Sequence, residues 1–276
     1  ESMAATFPYS NAELTHGQGI VMGVNKDTGN LVLVDPWQMV NPHCIYIAIS
    51  GGGKTFALNE QLTQFYGWGV LIRSIDIEGD KGRLCKELDG QRVHLAPYAG
   101  NIINPMEVRR PPMDPSLFTM GADSEEPANG LAATIQRQLI MFTLMLPEIR
   151  PVQLAAAETA LIECYERAGI TFDTDFAAVP VTSWPTWREL QPMLAANPKT
   201  EDLAAVMQSW VKGSLRGMLD GHTNVNLDNQ FVLLDLHDVM GHRLARGPLF
   251  FLATTFLWDE INRDWTQRKV LDIDEL

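Results

Sequence analysis

The alternation of apolar and polar positions near the start of the chain predicts three elements in succession. Residues 19–36 place two apolar runs on either side of a turn rich in Asn, Asp, Thr and Gly, which predicts a β-hairpin. The run Cys44–Ser50 is apolar on both faces and predicts a strand buried between helices. From Thr55 onward, Phe and Leu recur at helical spacing. A strand, a glycine loop and a helix are therefore expected in that order.

The same patterning predicts the rest of a parallel α/β sheet. Further segments are, in chain order, strands at Val70–Asp76, Arg92–Pro97 and Phe231–Leu236, a helix around residues 248–265 and a last strand from Val270. Between about 129 and 220 only helical patterns occur, one of them beginning at Pro151. We therefore expect an all-α insertion at 113–224 between two parts of one α/β domain, 17–112 and 225–276.

The segment Ser50–Thr55, SGGGKT, is the strongest chemical signal in the sequence. Phosphates need a concave ring of backbone N–H groups, which glycines allow because they reach positive φ and carry no side chain. Ala48 occupies the first glycine position of the G-x-x-x-x-G-K-[ST] pattern, which is tolerable only if its φ is negative. A glycine-rich turn with a merely solvated lysine is the alternative. The flanking strand and helix favour the phosphate interpretation.

Each residue of this loop has a predicted role. Lys54 supplies a mobile positive charge for catalysis, and the hydroxyl of Thr55 is a ligand for Mg²⁺. The helix N-terminus adds partial positive charge where the phosphates would lie. The predicted nucleotide-binding residues are Ser50, Gly51, Gly52, Gly53, Lys54, Thr55 and Phe56.

The last strand ends in two acids, Asp274 and Glu275. In a P-loop ATPase one carboxylate holds Mg²⁺ through water and a second orients the attacking water, and these two residues fit those roles in that order. A solvated strand end is the alternative for such a pair. Asp272, inside the apolar run, is expected to need a partner if it is buried.

Two weaker groups of polar residues follow other predicted strands. Asp76, Glu78 and Asp80 lie at the carboxyl end of the second strand, where open α/β sheets keep their ligands, although an exposed acidic turn is the favoured interpretation. His237 and Asp238 follow Phe231–Leu236 and could sense nucleotide or simply end a strand. Their roles stay open.

The amino-acid composition of the chain limits the kinds of partner and the cellular compartment that we expect for it. Lys+Arg 21 against Asp+Glu 34 gives a formal charge of -13, which disfavours nucleic acid as a partner of this segment. The three cysteines are far apart, so neither a zinc site nor a disulfide framework is supported, and a cytoplasmic compartment fits best. No apolar stretch reaches the roughly 20 residues that cross a bilayer, and any membrane association is expected to come through partners.

Several motifs of this chain resemble those of a known protein family, and they occur in the same order across most of the chain. Asp35-Pro36-Trp37, Asn41-Pro42-His43, Asp76-Ile77-Glu78-Gly79-Asp80 and Ile103-Asn104-Pro105 are similar to that family's motifs. The family is the energising ATPase of type IV secretion and conjugation systems, the VirB/TraE/CagE class of the HerA and FtsK superfamily.

The resemblance implies a RecA-like P-loop domain that binds ATP and Mg²⁺ and powers assembly of, or transport through, a secretion channel. It also implies a homo-oligomeric ring, a hexamer, in which a neighbour's arginine completes each site, at the cytoplasmic face of the bacterial inner membrane with other secretion components. Because such ATPases have an N-terminal domain and further strands after the acid pair, we expect the natural protein to extend beyond both ends of this chain. A DNA-translocating coupling protein of the same superfamily and a nucleotide-binding scaffold without turnover are the alternatives.

Overall fold

A computed structural model describes residues 16–49, 51–109, 130–264 and 266–273. The chain divides into two compact units, residues 1–69 and 70–276. Each unit is described by itself below.

The first unit contains the predicted hairpin and the helix that follows the glycine loop. β1 (Ile20–Val24) and β2 (Leu31–Val34) pair antiparallel, and α1 covers Lys54–Gly67. Gln64 of α1 accepts a hydrogen bond at 2.7 Å from the backbone N–H of Val21, which fixes the helix against β1. The hairpin and the helix predicted from the sequence are both present.

The buried strand predicted over Cys44–Ser50 is wrong for the described part of that segment. Residues 44–49 form no regular secondary structure, and Ile45, Ile47 and Ile49 are 84%, 91% and 86% exposed. A strand requires a neighbour that satisfies its backbone N–H and C=O groups, and none of the strands in the described ranges pairs with this segment. The apolar pattern shows what the segment could bury, but it does not supply the pairing partner.

The second unit is built on the predicted parallel sheet. Its strands are β3 (Leu71–Asp76), β4 (Gln91–His94), β5 (Phe231–Asp235) and β6 (Lys269–Ile273). They lie in the order β4-β5-β3-β6 with every neighbouring pair parallel, so their carboxyl ends share one edge. All five residues of β5 are buried, as expected of a strand covered on both faces.

Helices occupy the rest of the second unit. They are α2 (Gly82–Glu87), α3 (Gly130–Met145), α4 (Pro151–Arg167), α5 (Trp187–Ala195), α6 (Glu201–Val211) and α7 (Arg243–Asn262). Pro151 opens α4 as predicted, whereas α7 begins at Arg243 and includes Pro248, the residue at which the sequence pattern began it. Trp187 and Trp210 are fully buried, with ring centroids 5.9 Å apart in an edge-to-face contact.

The helices between β4 and β5 fall within the predicted all-α block. Because residues 110–129 are outside the described part of the chain, the boundaries 17–112, 113–224 and 225–276 stay a prediction. None of the helices in the described ranges is long and apolar enough to cross a membrane.

Candidate functional site

The glycine loop turns back on itself just before α1. The backbone N–H of Gly52 donates to the carbonyl of Ile49 at 2.8 Å. Gly51 and Gly53 have φ values of 75° and 84°, in the left-handed region that residues with a Cβ rarely adopt. A Cβ on Gly52 would lie only 2.9 Å from the carbonyl oxygen of Ile49. All three glycines are therefore required by the backbone path of this loop.

Ala48 does not disturb this path. It has no positive φ, since Asp89 and Tyr98 are the non-glycine residues with positive φ in the described part of the chain. The condition set from the sequence, that Ala48 is tolerable only with a negative φ, is met. Ser50 lies outside the described residues.

The predicted phosphate-binding residues continue into the first turn of α1. Gly53 is the N-cap residue, in the left-handed conformation and without a side-chain cap, and the first turn carries no acidic residue. Lys54 and Thr55 are the first two residues of the helix and are partly buried, whereas Phe56 is 77% exposed.

The residues present fit a bound phosphate. An uncapped helix N-terminus presents N–H groups and partial positive charge, which favour an anion. A Cβ added to Gly51 or Gly53 would meet nothing within 4 Å, so the space beside the loop is open on the side where side chains would otherwise project. The described part of the loop and the start of the helix thus offer backbone donors and open space of the kind that an anion such as phosphate can occupy.

In the second unit, acids collect at the carboxyl edge of the sheet. Asp76 and Asp235 end β3 and β5, pair directly in register and are both almost fully buried. Asp76 accepts hydrogen bonds from the backbone N–H groups of Gly79 at 2.7 Å and Lys81 at 3.1 Å. Its carboxylate therefore folds the residues after β3 into a closed loop.

Asp235 is held by a guanidinium. The Nε of Arg92 donates to its Oδ2 at 2.7 Å, Nη2 donates to the same oxygen, and the N–H of His237 donates to Oδ1 at 3.0 Å. The hydrogen bond to Asp235 raises the pKa of Arg92. Oδ2 of Asp238 accepts a hydrogen bond at 2.9 Å from Nε2 of His94. Hydrogen bonds therefore hold both His237 and Asp238 just after the carboxyl end of β5.

Asp272 is buried and has the partners that its position in the sequence demanded. Its Oδ2 accepts a hydrogen bond from Ser74 Oγ at 2.5 Å and forms an ion pair with Lys81 Nζ at 2.5 Å. Ser74 and Asp272 are directly paired in the register of β3 and β6. The expectation that a buried Asp272 needs a partner is confirmed.

The acids predicted to act on Mg²⁺ and water are not placed by the structure. Asp274 and Glu275 lie outside the described residues, which end at Ile273 in β6. Glu78 and Asp80 are exposed on the loop after β3. Within the described ranges, no group of three or more His, Cys, Asp or Glu residues is arranged to hold a metal ion.

Three basic residues of this region were not singled out from the sequence. Lys81 and Arg92 bind the buried acids described above, and Arg73 lies inside β3 with its guanidinium bonded to carbonyl oxygens that include Leu227 O at 2.9 Å. Burial lowers the pKa of Arg73, and the charge of Glu260 opposes that shift. A charged residue inside an apolar strand, as in VLIRSID, is the signal that could have predicted a buried partner.

Comparison with known proteins decides the family. No family model matches the chain, and no curated protein matches it. Among solved structures, VirB4 of Thermoanaerobacter pseudethanolicus superposes with a TM-score of 0.82 at 30% sequence identity, covering 95% of this chain and 69% of that one. The chain belongs to the VirB4 family. This confirms the resemblance to type IV secretion ATPases and the α/β P-loop fold class that it implied.

Proposed function

We propose that this VirB4-family chain binds and hydrolyses ATP and powers assembly of, or transport through, a type IV secretion or conjugation system. The observation that carries the proposal is the glycine loop, with Gly51 and Gly53 at positive φ, leading into the uncapped N-terminus of α1. Membership of the VirB4 family supports the same chemistry.

In this proposal the residues at the start of α1 divide the work on the nucleotide. Backbone N–H groups of Gly51–Thr55 surround the phosphates, with Phe56 and Ser50 completing the contact. Lys54 places its ammonium on the β and γ phosphates, where charge develops as the bond breaks. Thr55 offers its hydroxyl to Mg²⁺, which when bound neutralises the negative charge of the phosphates.

The two acids after β6 act on the metal and the water. Asp274 would hold Mg²⁺ through water, and Glu275 would orient the attacking water and accept its proton. Open α/β sheets bind ligands at the carboxyl ends of their strands, and β6 runs toward these two residues.

Assembly completes each site. We propose a homo-oligomeric ring, a hexamer, in which the neighbouring subunit supplies an arginine, with the division into 17–112, 113–224 and 225–276 as its domain plan. The ring would work in the cytoplasm, at the inner membrane through other secretion components. The formal charge of -13 disfavours DNA as a direct partner of this segment.

Titration with Mg-ATP tests the nucleotide site. Lys54→Ala is expected to weaken binding by at least about tenfold, because it removes the cation that meets the phosphates. Lys26→Ala, an exposed lysine of the hairpin turn, is the matched control and should bind as the parent does. Equal affinity in all three proteins would contradict the assignment. Binding without phosphate release by the parent would favour the scaffold alternative.

A further inference from the structure

Two loops of the second unit hold an exposed aromatic residue on a fixed backbone. Tyr98 follows β4, has a φ of 63° and is 75% exposed. A bulky residue rarely adopts this left-handed conformation, which persists only where the surrounding structure enforces it. Here the backbone N–H of Tyr98 donates to the carbonyl of Arg216 at 3.4 Å, and that of Ile103 donates to the carbonyl of Met218 at 2.9 Å. These bonds join the loop after β4 to the loop after α6.

A buried carboxylate positions two arginines in the same region. Asp220 is fully buried, and its Oδ1 accepts the backbone N–H of Gly217 at 2.8 Å. Its Oδ2 accepts hydrogen bonds from Nε and Nη2 of Arg188 at 3.0 Å and 2.8 Å. Nε of Arg216 lies 4.0 Å from the same oxygen. One buried negative charge therefore faces two guanidinium groups, whose side chains are 51% and 55% exposed.

The exposed charges of this region are positive. The guanidinium of Arg216 donates no hydrogen bond to any residue that the structure describes, so its N–H groups face solvent. Lys212 adds an exposed cation at the end of α6, whereas the acid of the same loop, Asp220, is buried. We call Tyr98, Arg188, Lys212 and Arg216 the basic surface. It contrasts with the formal charge of -13 on the whole chain.

The composition of the basic surface indicates a protein partner that carries carboxylates. Tyrosine and arginine are enriched among the residues that contribute most to binding at protein interfaces. A backbone that is already held by hydrogen bonds loses little conformational freedom on binding. Guanidinium groups form strong hydrogen bonds with anions such as carboxylates. The basic surface therefore fits an acidic region of a protein surface.

A second copy of this chain has the charge that matches. The chain has 34 acids against 21 lysines and arginines, so each copy has an excess of negative charge to offer to the basic surface of another. Surfaces of opposite potential steer the encounter of two proteins and disfavour wrong orientations.

We propose that the basic surface binds an acidic surface of a neighbouring copy of this chain. Because the two contacting surfaces differ, the contact is head-to-tail, and a repeated contact of this kind generates a ring when the rotation closes. This inference rests on the homo-oligomeric ring of the proposed function. It adds the residues that join one subunit to the next.

Sedimentation over a range of protein concentrations measures self-association of the parent and three variants. Arg216→Gln removes the charge without placing a second acid beside Asp220. Tyr98→Asn removes the ring, and this variant should be at least as stable as the parent because asparagine tolerates the left-handed backbone. Arg167→Gln, at an exposed arginine of α4, is the matched control. Thermal unfolding and Mg-ATP affinity are measured on the same samples.

Arg216→Gln and Tyr98→Asn are each expected to weaken self-association by about tenfold or more, with Mg-ATP affinity within about twofold of the parent. Arg167→Gln should associate as the parent does. Added salt should weaken association of the parent more than that of Arg216→Gln, because salt screens the ionic contact that the variant lacks.

Parental self-association in both folded variants would overturn this role of the basic surface and leave the ring intact. A parent that stays monomeric at every concentration would contradict the ring, and this surface with it, whereas failure to bind Mg-ATP would contradict the nucleotide site alone. A fluorescent single-stranded oligonucleotide that binds the parent but not Arg216→Gln would assign the surface to nucleic acid and overturn the second copy as its partner.

Discussion

Gly53 offers the sharpest test of the glycine loop's geometry. It adopts φ 84° and ψ 15° at the N-cap of α1, and a Cβ at this position would meet no atom within 4 Å. Gly53→Ala therefore introduces no clash. Its whole cost is that of holding alanine in the left-handed region, about 1–2 kcal/mol.

That cost can appear in either of two measurements. If the loop keeps its conformation without nucleotide, the free energy of unfolding falls by about 1–2 kcal/mol. If the loop relaxes when empty, the strain is met on binding and the affinity for Mg-ATP falls by roughly 5–30-fold. The sum of the two losses is expected to be about 1–2 kcal/mol, measured by denaturant unfolding and by Mg-ATP titration.

Gly67→Ala is the matched control. Gly67 is the last residue of the same helix, has no positive φ and also has open space around its Cβ position. Alanine there should be neutral or stabilising by up to about 1 kcal/mol, with unchanged affinity for Mg-ATP. A change of less than about 0.5 kcal/mol in both unfolding and binding for Gly53→Ala would show that the loop does not need a left-handed residue at this position.

Three further predictions address cleavage, the sheet edge and the helical core. Glu275→Gln should bind ATP but not cleave it, and an equal loss of both in paired binding and turnover assays would make Glu275 a structural or metal-holding residue. Arg92→Met should lower the free energy of unfolding by about 1–3 kcal/mol, because the buried carboxylate of Asp235 loses its charged donors. Urea unfolding measures this loss, and a variant that unfolds at the same urea concentration as the parent would contradict it. Trp187→Phe removes the indole N–H that donates to buried Gln138 Oε1 at 2.9 Å. The free energy of unfolding in urea should therefore fall by about 1–3 kcal/mol, and an unchanged value would show that another donor replaces the indole.

Local patterns in the sequence were sufficient wherever neighbours in sequence are also neighbours in space. The hairpin, Pro151 at the start of α4 and the need of Asp272 for a partner all follow from periodicity, turn residues or the cost of burying a charge. The identity of that partner does not follow, because Lys81 is 191 residues away and reaches β6 only once the sheet has formed.

The failures have the same physical origin. An apolar run such as Cys44–Ser50 indicates that the segment favours burial, but strand pairing depends on a second strand elsewhere in the chain. The order β4-β5-β3-β6 is equally non-local, since β3 pairs with Phe231–Asp235 across the whole helical block. The helix expected around residues 248–265 is α7, which begins earlier, at Arg243, where Ala245 and Leu249 are both buried by tertiary packing.

The proposed oligomeric ring has a kinetic consequence of its own. A trans-acting arginine is worth roughly 10³ to 10⁵ in rate, so turnover per chain should rise steeply with protein concentration. The protein diluted until it is a monomer should release almost no phosphate. Concentration-independent hydrolysis by that monomer would contradict the ring.

Steady-state phosphate release, with and without Lys54→Ala, is the most direct test of ATP hydrolysis at the glycine loop. We expect Mg-ATP-dependent turnover in the parent and a loss on the order of 10² or more in the variant, because the proposed role of Lys54 is to meet the β and γ phosphates. A Lys54→Ala variant that hydrolyses ATP at nearly the parental rate would contradict it.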